Sequence, residues 1–162
     1  MDDLFSLTGQ VIVITGAAGL LGRQHAEAVA RAGGIPVLLD LQAQAVQALA
    51  DDIQTRFNVP ASGWAVNITS EAEIEKNCTV VLARYGRIDG LVNNAANNPK
   101  VEGDGVKNFS RLENFPLEVW QADLAVGLTG AFLCAKHYGT VIARNTDGGC
   151  IVNISSDLGL IA

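Results

Sequence analysis

The octapeptide Thr15-Gly16-Ala17-Ala18-Gly19-Leu20-Leu21-Gly22 directly follows the apolar run Val11-Ile12-Val13-Ile14. A short buried strand thus runs into a glycine-rich turn, and a helix can begin where the turn ends. Such a unit cradles an anion, because glycines admit a close backbone approach and a helix N-terminus offers unpaired N–H groups. The anion it suits is the pyrophosphate of a dinucleotide. Asp40 closes the next apolar run, 18 residues past Gly22. That is near the roughly 20 expected of a carboxylate that accepts hydrogen bonds from the adenosine ribose hydroxyls. The same carboxylate repels a 2′-phosphate, and Leu41, Gln42 and Ala43 after it include no Arg or Lys to hold one. NAD is therefore the expected cofactor and NADP the less favoured. The rival reading of Asp40 is a plain strand-end residue.

These residues need elements to position them. Strands are expected at Val11–Thr15, Pro36–Leu39, Gly63–Val66, Ile88–Val92 and Cys150–Ile154. Helices are expected at Leu20–Ala32, Gln42–Phe57, Glu71–Tyr85 and Pro116–Arg144. Ser70 and Glu73 have capping-box spacing, which marks the third helix start. The strands are short, apolar and rich in Val and Ile, as strands buried on both faces of a parallel sheet are. Alternating β and α elements with right-handed crossovers give a doubly wound α/β sheet. Gly127, Gly130 and Gly139 fall inside the fourth helix, where they can bend it or admit a neighbour. The segment Asn97–Asn114 has no period and leaves the C-terminal end of the fourth strand, the ligand edge of such sheets. It reads as a substrate-facing lid or as a plain solvated loop.

Composition closes off several classes. A chain of 162 residues fits one domain, and 17% charged against 49% hydrophobic residues argues against disorder. Seventeen acids against eleven bases give a net charge of −6, which disfavours a nucleic-acid surface. No stretch approaches the roughly 20 apolar residues of a membrane span. Met1-Asp2-Asp3-Leu4 lacks the basic start of a secretory signal. Cys78, Cys134 and Cys150 form no Cys-x-x-Cys pair and read as reduced thiols of a cytoplasmic protein. No metal site is expected. His25 and His137 read as surface or packing residues of helices.

The glycine turn, then Gly86-Arg87-Ile88-Asp89-Gly90-Leu91-Val92-Asn93-Asn94-Ala95-Ala96, then Ile151-Val152-Asn153-Ile154-Ser155-Ser156 stand in the order found in the short-chain dehydrogenase/reductase family. The chain resembles that family over nearly its whole length. The resemblance implies a Rossmann fold with five of the family's seven strands. It also implies hydride transfer between a nicotinamide, here NAD by the reading of Asp40, and an alcohol or carbonyl group, and the polar run Asn97–Asn114 points to a small polar or sugar-like substrate. Carried across by position, Gly16, Leu21 and Gly22 would contact the pyrophosphate, and Asp40 the adenosine ribose. Asn67 and Ile68 would lie beside the adenine, with Asn67 standing where the family usually has Asp. Asn94, Ala95 and Ala96 match the turn under the nicotinamide ribose, with Ala96 in place of the usual Gly.

Ser156 aligns with the family's catalytic serine, whose hydroxyl bonds the substrate oxygen. The family's acid–base tyrosine lies about a dozen residues after that serine, with a lysine four further on. The sequence ends six residues past Ser156, and neither Tyr85 nor Tyr138 is followed by Lys at that spacing. Gly127 occupies the place of the family's relay asparagine. Residues 1–162 are accordingly expected to be a single dinucleotide-binding domain, incomplete at its C-terminus and inactive alone. The competing expectation is a nucleotide-binding module without catalysis. The family also implies a homo-oligomer, dimer or tetramer, joined through the fourth helix.

Overall fold

A computed structural model describes residues 4–97 and 111–156. Strands β1 (Val11–Thr15), β2 (Ile35–Asp40), β3 (Ser62–Ala65), β4 (Gly90–Asn93) and β5 (Cys150–Asn153) form one sheet in the order β3-β2-β1-β4-β5. Every neighbouring pair is parallel. Helices α1 (Leu20–Arg31), α2 (Ala43–Phe57) and α3 (Glu71–Tyr85) alternate with the strands. The order reverses between β1 and β4, so a crevice opens at their C-terminal ends. This is the doubly wound sheet that the alternation of elements announces, and the Rossmann fold that the resemblance implies.

The apolar runs are continuous because both faces of the sheet are covered. Val11, Val13, Val37 and Leu39 pack on one face with Ile74, Val81, Cys134 and Tyr138. Ile12, Ile14 and Leu38 pack on the other with Ala26, Val46, Leu49 and Ile53. On the first face the Tyr138 hydroxyl donates to Asn77 Oδ1 at 2.8 Å, so the largest buried side chain keeps its polar end paired. Burial pushes the Cys78 thiol up, and the Cys134 thiol up to about 12, which holds both protonated and unreactive.

β1 and α3 have the expected bounds. β4 starts at Gly90 rather than Ile88, because Asp89 Oδ2 takes the Val11 N–H at 2.8 Å and a side chain replaces the ladder there. β3 lies one residue earlier than expected, with Ser62 paired to Val37, although the Val66 N–H still bonds the Asp40 carbonyl. Ser70 Oγ accepts the Glu73 N–H at 3.4 Å, but the reciprocal capping contact is not made. The Glu73 carboxylate instead accepts the Asn67 N–H at 2.8 Å.

The fourth helix covers residues 117–142 as three α segments, α4 (Leu117–Leu124), α5 (Ala131–Cys134) and α6 (Thr140–Ile142). π-helical turns at Ala125–Gly130 and Ala135–Gly139 join them. The glycines divide by role. A Cβ on Gly130 would stand 2.8 Å from Ile68 Cδ1 and one on Gly139 2.9 Å from Ile151 Cδ1, so these two admit neighbouring side chains. Gly127 faces open space. In the second π turn His137 and Lys136 both reach Glu71 at the start of α3 and hold its carboxyl below the usual range, a partnership no local sequence spacing reveals.

All four residues of β5 are exposed, and its edge away from β4 carries no strand among the described residues. The expected lid lies largely outside the described residues. Asn97 is described, as is a 3-10 turn at Leu112–Asn114. No helix among the described residues is long and apolar enough to cross a membrane.

Candidate functional site

The floor of the crevice is a hydrogen-bonded lock between the ends of β1 and β4. Thr15 Oγ1 accepts the N–H groups of Asn94 and Ala95, each at 3.0 Å. Asn94 Nδ2 donates back to the carbonyls of Thr15 at 2.9 Å and Gly16 at 3.2 Å. Neighbouring strands thereby present their exit loops side by side. Thr15 has no place among the expected site residues. The signal for it was its position, last in a strand that feeds the turn.

Gly16 turns the chain out of β1 at φ +62°, in the left-handed region, and a Cβ there would stand 2.9 Å from Ala95 Cα. Gly22 brings α1 down onto the turn, where a Cβ would stand 2.2 Å from the Gly16 carbonyl oxygen. Glycine is thus required at both positions by neighbouring backbone. No side chain caps α1 at Gly19, and its first turn holds no acidic residue. Its leading N–H groups therefore face the crevice with a partial positive charge. In α3, by contrast, Ser70 caps and Glu71 and Glu73 fill the first turn.

Asp40, at the end of β2, is held by two backbone amides. Oδ2 accepts from Ala18 at 3.0 Å and Oδ1 from Gln42 at 3.1 Å. It therefore ties the glycine turn to the start of α2, and each oxygen keeps lone-pair capacity for a further donor. Arg23 Nε donates to the Ala18 carbonyl at 3.0 Å, so both polar atoms of Ala18 are held by charged side chains.

These parts surround a cleft of about 460 Å³. Gly16, Leu21, Gly22, Asp40, Asn67, Ile68, Asn94, Ala95 and Ala96 all line it. Residues from four separate sequence blocks thus meet in one place. The cleft also takes in Ala18, Leu41, Gln42, Val66, Asn97 and Val126, which were not expected. Leu41, Val66 and Ile68 make its Asp40 end apolar, which suits a flat base, and the helix N-terminus lies between that end and Asn94. Ser156 follows β5, is exposed and is not among the cleft-lining residues. No cluster of three metal-ligating side chains occurs among the described residues.

Gly127 follows Val126 in the first π turn, and a Cβ placed on it meets nothing within 4 Å. Alanine fits there and removes the flexibility that glycine brings to a helix. Gly127→Ala is expected to raise unfolding stability by about 0.5–1 kcal/mol, read by urea titration. A loss of stability would mean that the π turn itself requires glycine.

The short chain dehydrogenase family model matches residues 10–162. D-threitol dehydrogenase of Mycolicibacterium smegmatis is 32% identical over 162 residues, covering 100% of this chain and 58% of that protein. NAD-dependent glycerol dehydrogenase of Listeria innocua is 33% identical, over 99% of this chain and 58% of the relative. Among solved structures, NAD+-bound xylitol dehydrogenase superposes with TM-score 0.86 at 26% identity, covering 96% of this chain and 56% of that one. NADPH-dependent 3-quinuclidinone reductase from Rhodotorula rubra superposes with TM-score 0.83 at 26% identity, over 99% and 57%. The chain spans a little over half the length of these relatives.

Proposed function

Because this chain belongs to the short-chain dehydrogenase family, we propose that it is the dinucleotide-binding domain of an NAD-dependent oxidoreductase. The reaction moves a hydride between the nicotinamide and a hydroxyl or carbonyl carbon of a small polyol-like substrate. Family members use NAD or NADP. The observation that favours NAD is Asp40, a carboxylate at the ribose end of the cleft with capacity left on both oxygens. Two ribose hydroxyls can donate to it, whereas a 2′-phosphate would meet its charge.

In this reading the diphosphate lies over Gly16, Leu21 and Gly22 against the uncapped end of α1. The base lies between Leu41, Asn67 and Ile68, and the nicotinamide ribose lies on Asn94, Ala95 and Ala96. The Ser156 hydroxyl donates to the substrate oxygen as charge develops on it. The polyol reading is supported by the relatives named for threitol, glycerol and xylitol.

Titration calorimetry of the chain with NAD+ and NADP+ tests the cofactor. NAD+ is expected to bind at least about tenfold tighter, and Asp40→Ala to remove most of that difference. NADP+ binding as tightly as NAD+ to the parent would overturn it. A second reading, nucleotide binding without catalysis, is favoured by Gly127, which supplies no relay amide. Polyol panels followed by NADH absorbance separate the two, since the second reading predicts binding with no turnover.

The partner is a second copy of the chain. Leu117, Trp120, Leu124, Leu128 and Phe132 fall at helical spacing on one face of the 117–142 helix, and Leu128 and Phe132 are 64% and 63% exposed. An antiparallel pair about the level of Val126 sets Trp120 against the partner's Phe132 and Leu124 against the partner's Leu128. It also brings the Glu118 end of one helix towards the Lys136 end of the other. Sedimentation is expected to give a dimer or larger, and Leu128→Glu a monomer with an unchanged circular dichroism spectrum. A monomeric parent would remove this assignment. The free thiols of Cys78, Cys134 and Cys150 support a cytoplasmic setting.

A further inference from the structure

The polar atoms at the base end of the cleft have assigned directions. Asn67 Oδ1 accepts two hydrogen bonds from Thr69, from its N–H at 3.0 Å and its hydroxyl at 2.8 Å. The backbone N–H donor fixes which side of the amide is oxygen, so the side chain cannot be turned over without losing that bond. The Asn67 N–H itself goes to the Glu73 carboxylate, and its carbonyl takes the Ser70 N–H. The group of Asn67 left to meet a ligand is Nδ2, which makes no hydrogen bond among the described residues. The next N–H, that of Ile68, is likewise without a partner among the described residues. Both residues line the cleft beside Leu41 and Val66. The Val66 N–H bonds to the Asp40 carbonyl, so this exit of β3 runs alongside the ribose carboxylate. The base end of the cleft therefore presents two donors and no open side-chain acceptor from Asn67.

We infer that the chain accepts a 6-oxopurine dinucleotide as readily as a 6-aminopurine one, with Asn67 as the residue that sets this tolerance. The inference rests on the reading of the cleft as a dinucleotide site. The edge of adenine carries an acceptor at N1 and a donor at N6. The Ile68 N–H satisfies N1, and the N6 amino group then faces the Asn67 Nδ2 donor without a bond. The edge of hypoxanthine carries a donor at N1 and an acceptor at O6. Asn67 Nδ2 satisfies O6, and N1–H then faces the Ile68 N–H without a bond. Each base makes one match and one mismatch, and their affinities come out close. An aspartate at position 67 would break the balance, since a carboxylate accepts from the N6 amino group and repels O6.

Calorimetry with NAD+ and with nicotinamide hypoxanthine dinucleotide, run on the parent chain and on Asn67→Asp, tests this. The parent is expected to bind the two within about threefold of each other, and Asn67→Asp to favour NAD+ by about tenfold or more. A parent that prefers NAD+ by about tenfold overturns the inference and leaves the dinucleotide site standing. An unchanged ratio in a folded Asn67→Asp protein also overturns it. The parent ratio needs no variant and decides alone if Asn67→Asp does not fold. Binding of neither dinucleotide removes both this inference and the cofactor reading beneath it.

Discussion

Gly22→Ala is expected to weaken NAD+ binding by about a hundredfold while leaving the sheet folded. The added Cβ would stand 2.2 Å from the Gly16 carbonyl oxygen and 2.7 Å from Ala17 Cα. Both are backbone atoms of the turn, and neither can swing aside as the end of a flexible side chain could. Relief therefore requires α1 to move off the turn. The N–H groups at its start then no longer converge with those of the turn on one diphosphate. Losing two charge-assisted hydrogen bonds, each worth about 1.5 kcal/mol or more, accounts for about two decades of affinity. The sheet is held by other contacts, so the far-UV spectrum is expected to persist. Calorimetry of the variant reads the effect. An affinity within about threefold of the parent would place the diphosphate elsewhere.

Asp89→Ala is the substitution expected to cost most stability outside the apolar core. The Asp89 side chain is 4% exposed and accepts from four groups. These are the Val11 N–H at 2.8 Å, Arg87 through Nε at 2.9 Å and Nη2 at 2.6 Å, and Asn145 Nδ2 at 3.3 Å. It joins the start of β1 to the chain entering β4, and through Asn145 to the segment that leads into β5. Arg87 is 44% exposed, so its charge can return to water, and the ion pair contributes little to the loss. The Val11 N–H cannot, because Val11 is 1% exposed. That stranded donor, with the loosened Asn145 amide, is expected to lower unfolding stability by about 2–4 kcal/mol in urea titration. Asp89→Asn is expected to fall between, since its amide oxygen can still take the Val11 N–H. A loss below about 1 kcal/mol for Asp89→Ala would mean that water reaches Val11.

Fold and cleft were legible from the sequence to different depths. The strand-turn-helix unit around Gly16 and Gly22 was readable because each of its requirements is local: a buried strand, a close backbone approach and an uncapped helix start. Asp40 was readable because it ends the next strand of the same unit. Thr15 was not. Its two accepted hydrogen bonds come from Asn94 and Ala95, about 80 residues along the chain. The sequence places the start of β4 two residues early for the same reason, since a strand ladder and the Asp89 side chain compete for the Val11 N–H and only the packed sheet shows which wins. The capping-box spacing at Ser70 predicted the helix start correctly and one partner wrongly, because the Glu73 carboxylate is drawn to the Asn67 N–H.

By itself the sequence determined the alternation of elements, the class of sheet and the family to which the chain belongs. Those properties depend on periodicity and on short motifs, which act over one or two turns or strands. The tertiary structure decided which atoms are left to meet a ligand. It turned the Asn67 side-chain oxygen onto Thr69, divided the Asp40 carboxylate between Ala18 and Gln42, and left Gly127 facing open space while Gly130 and Gly139 are filled. A polar side chain has more possible partners than its neighbours in sequence can specify. The choice among them is fixed only when distant strands and helices bring their own donors and acceptors to the same place.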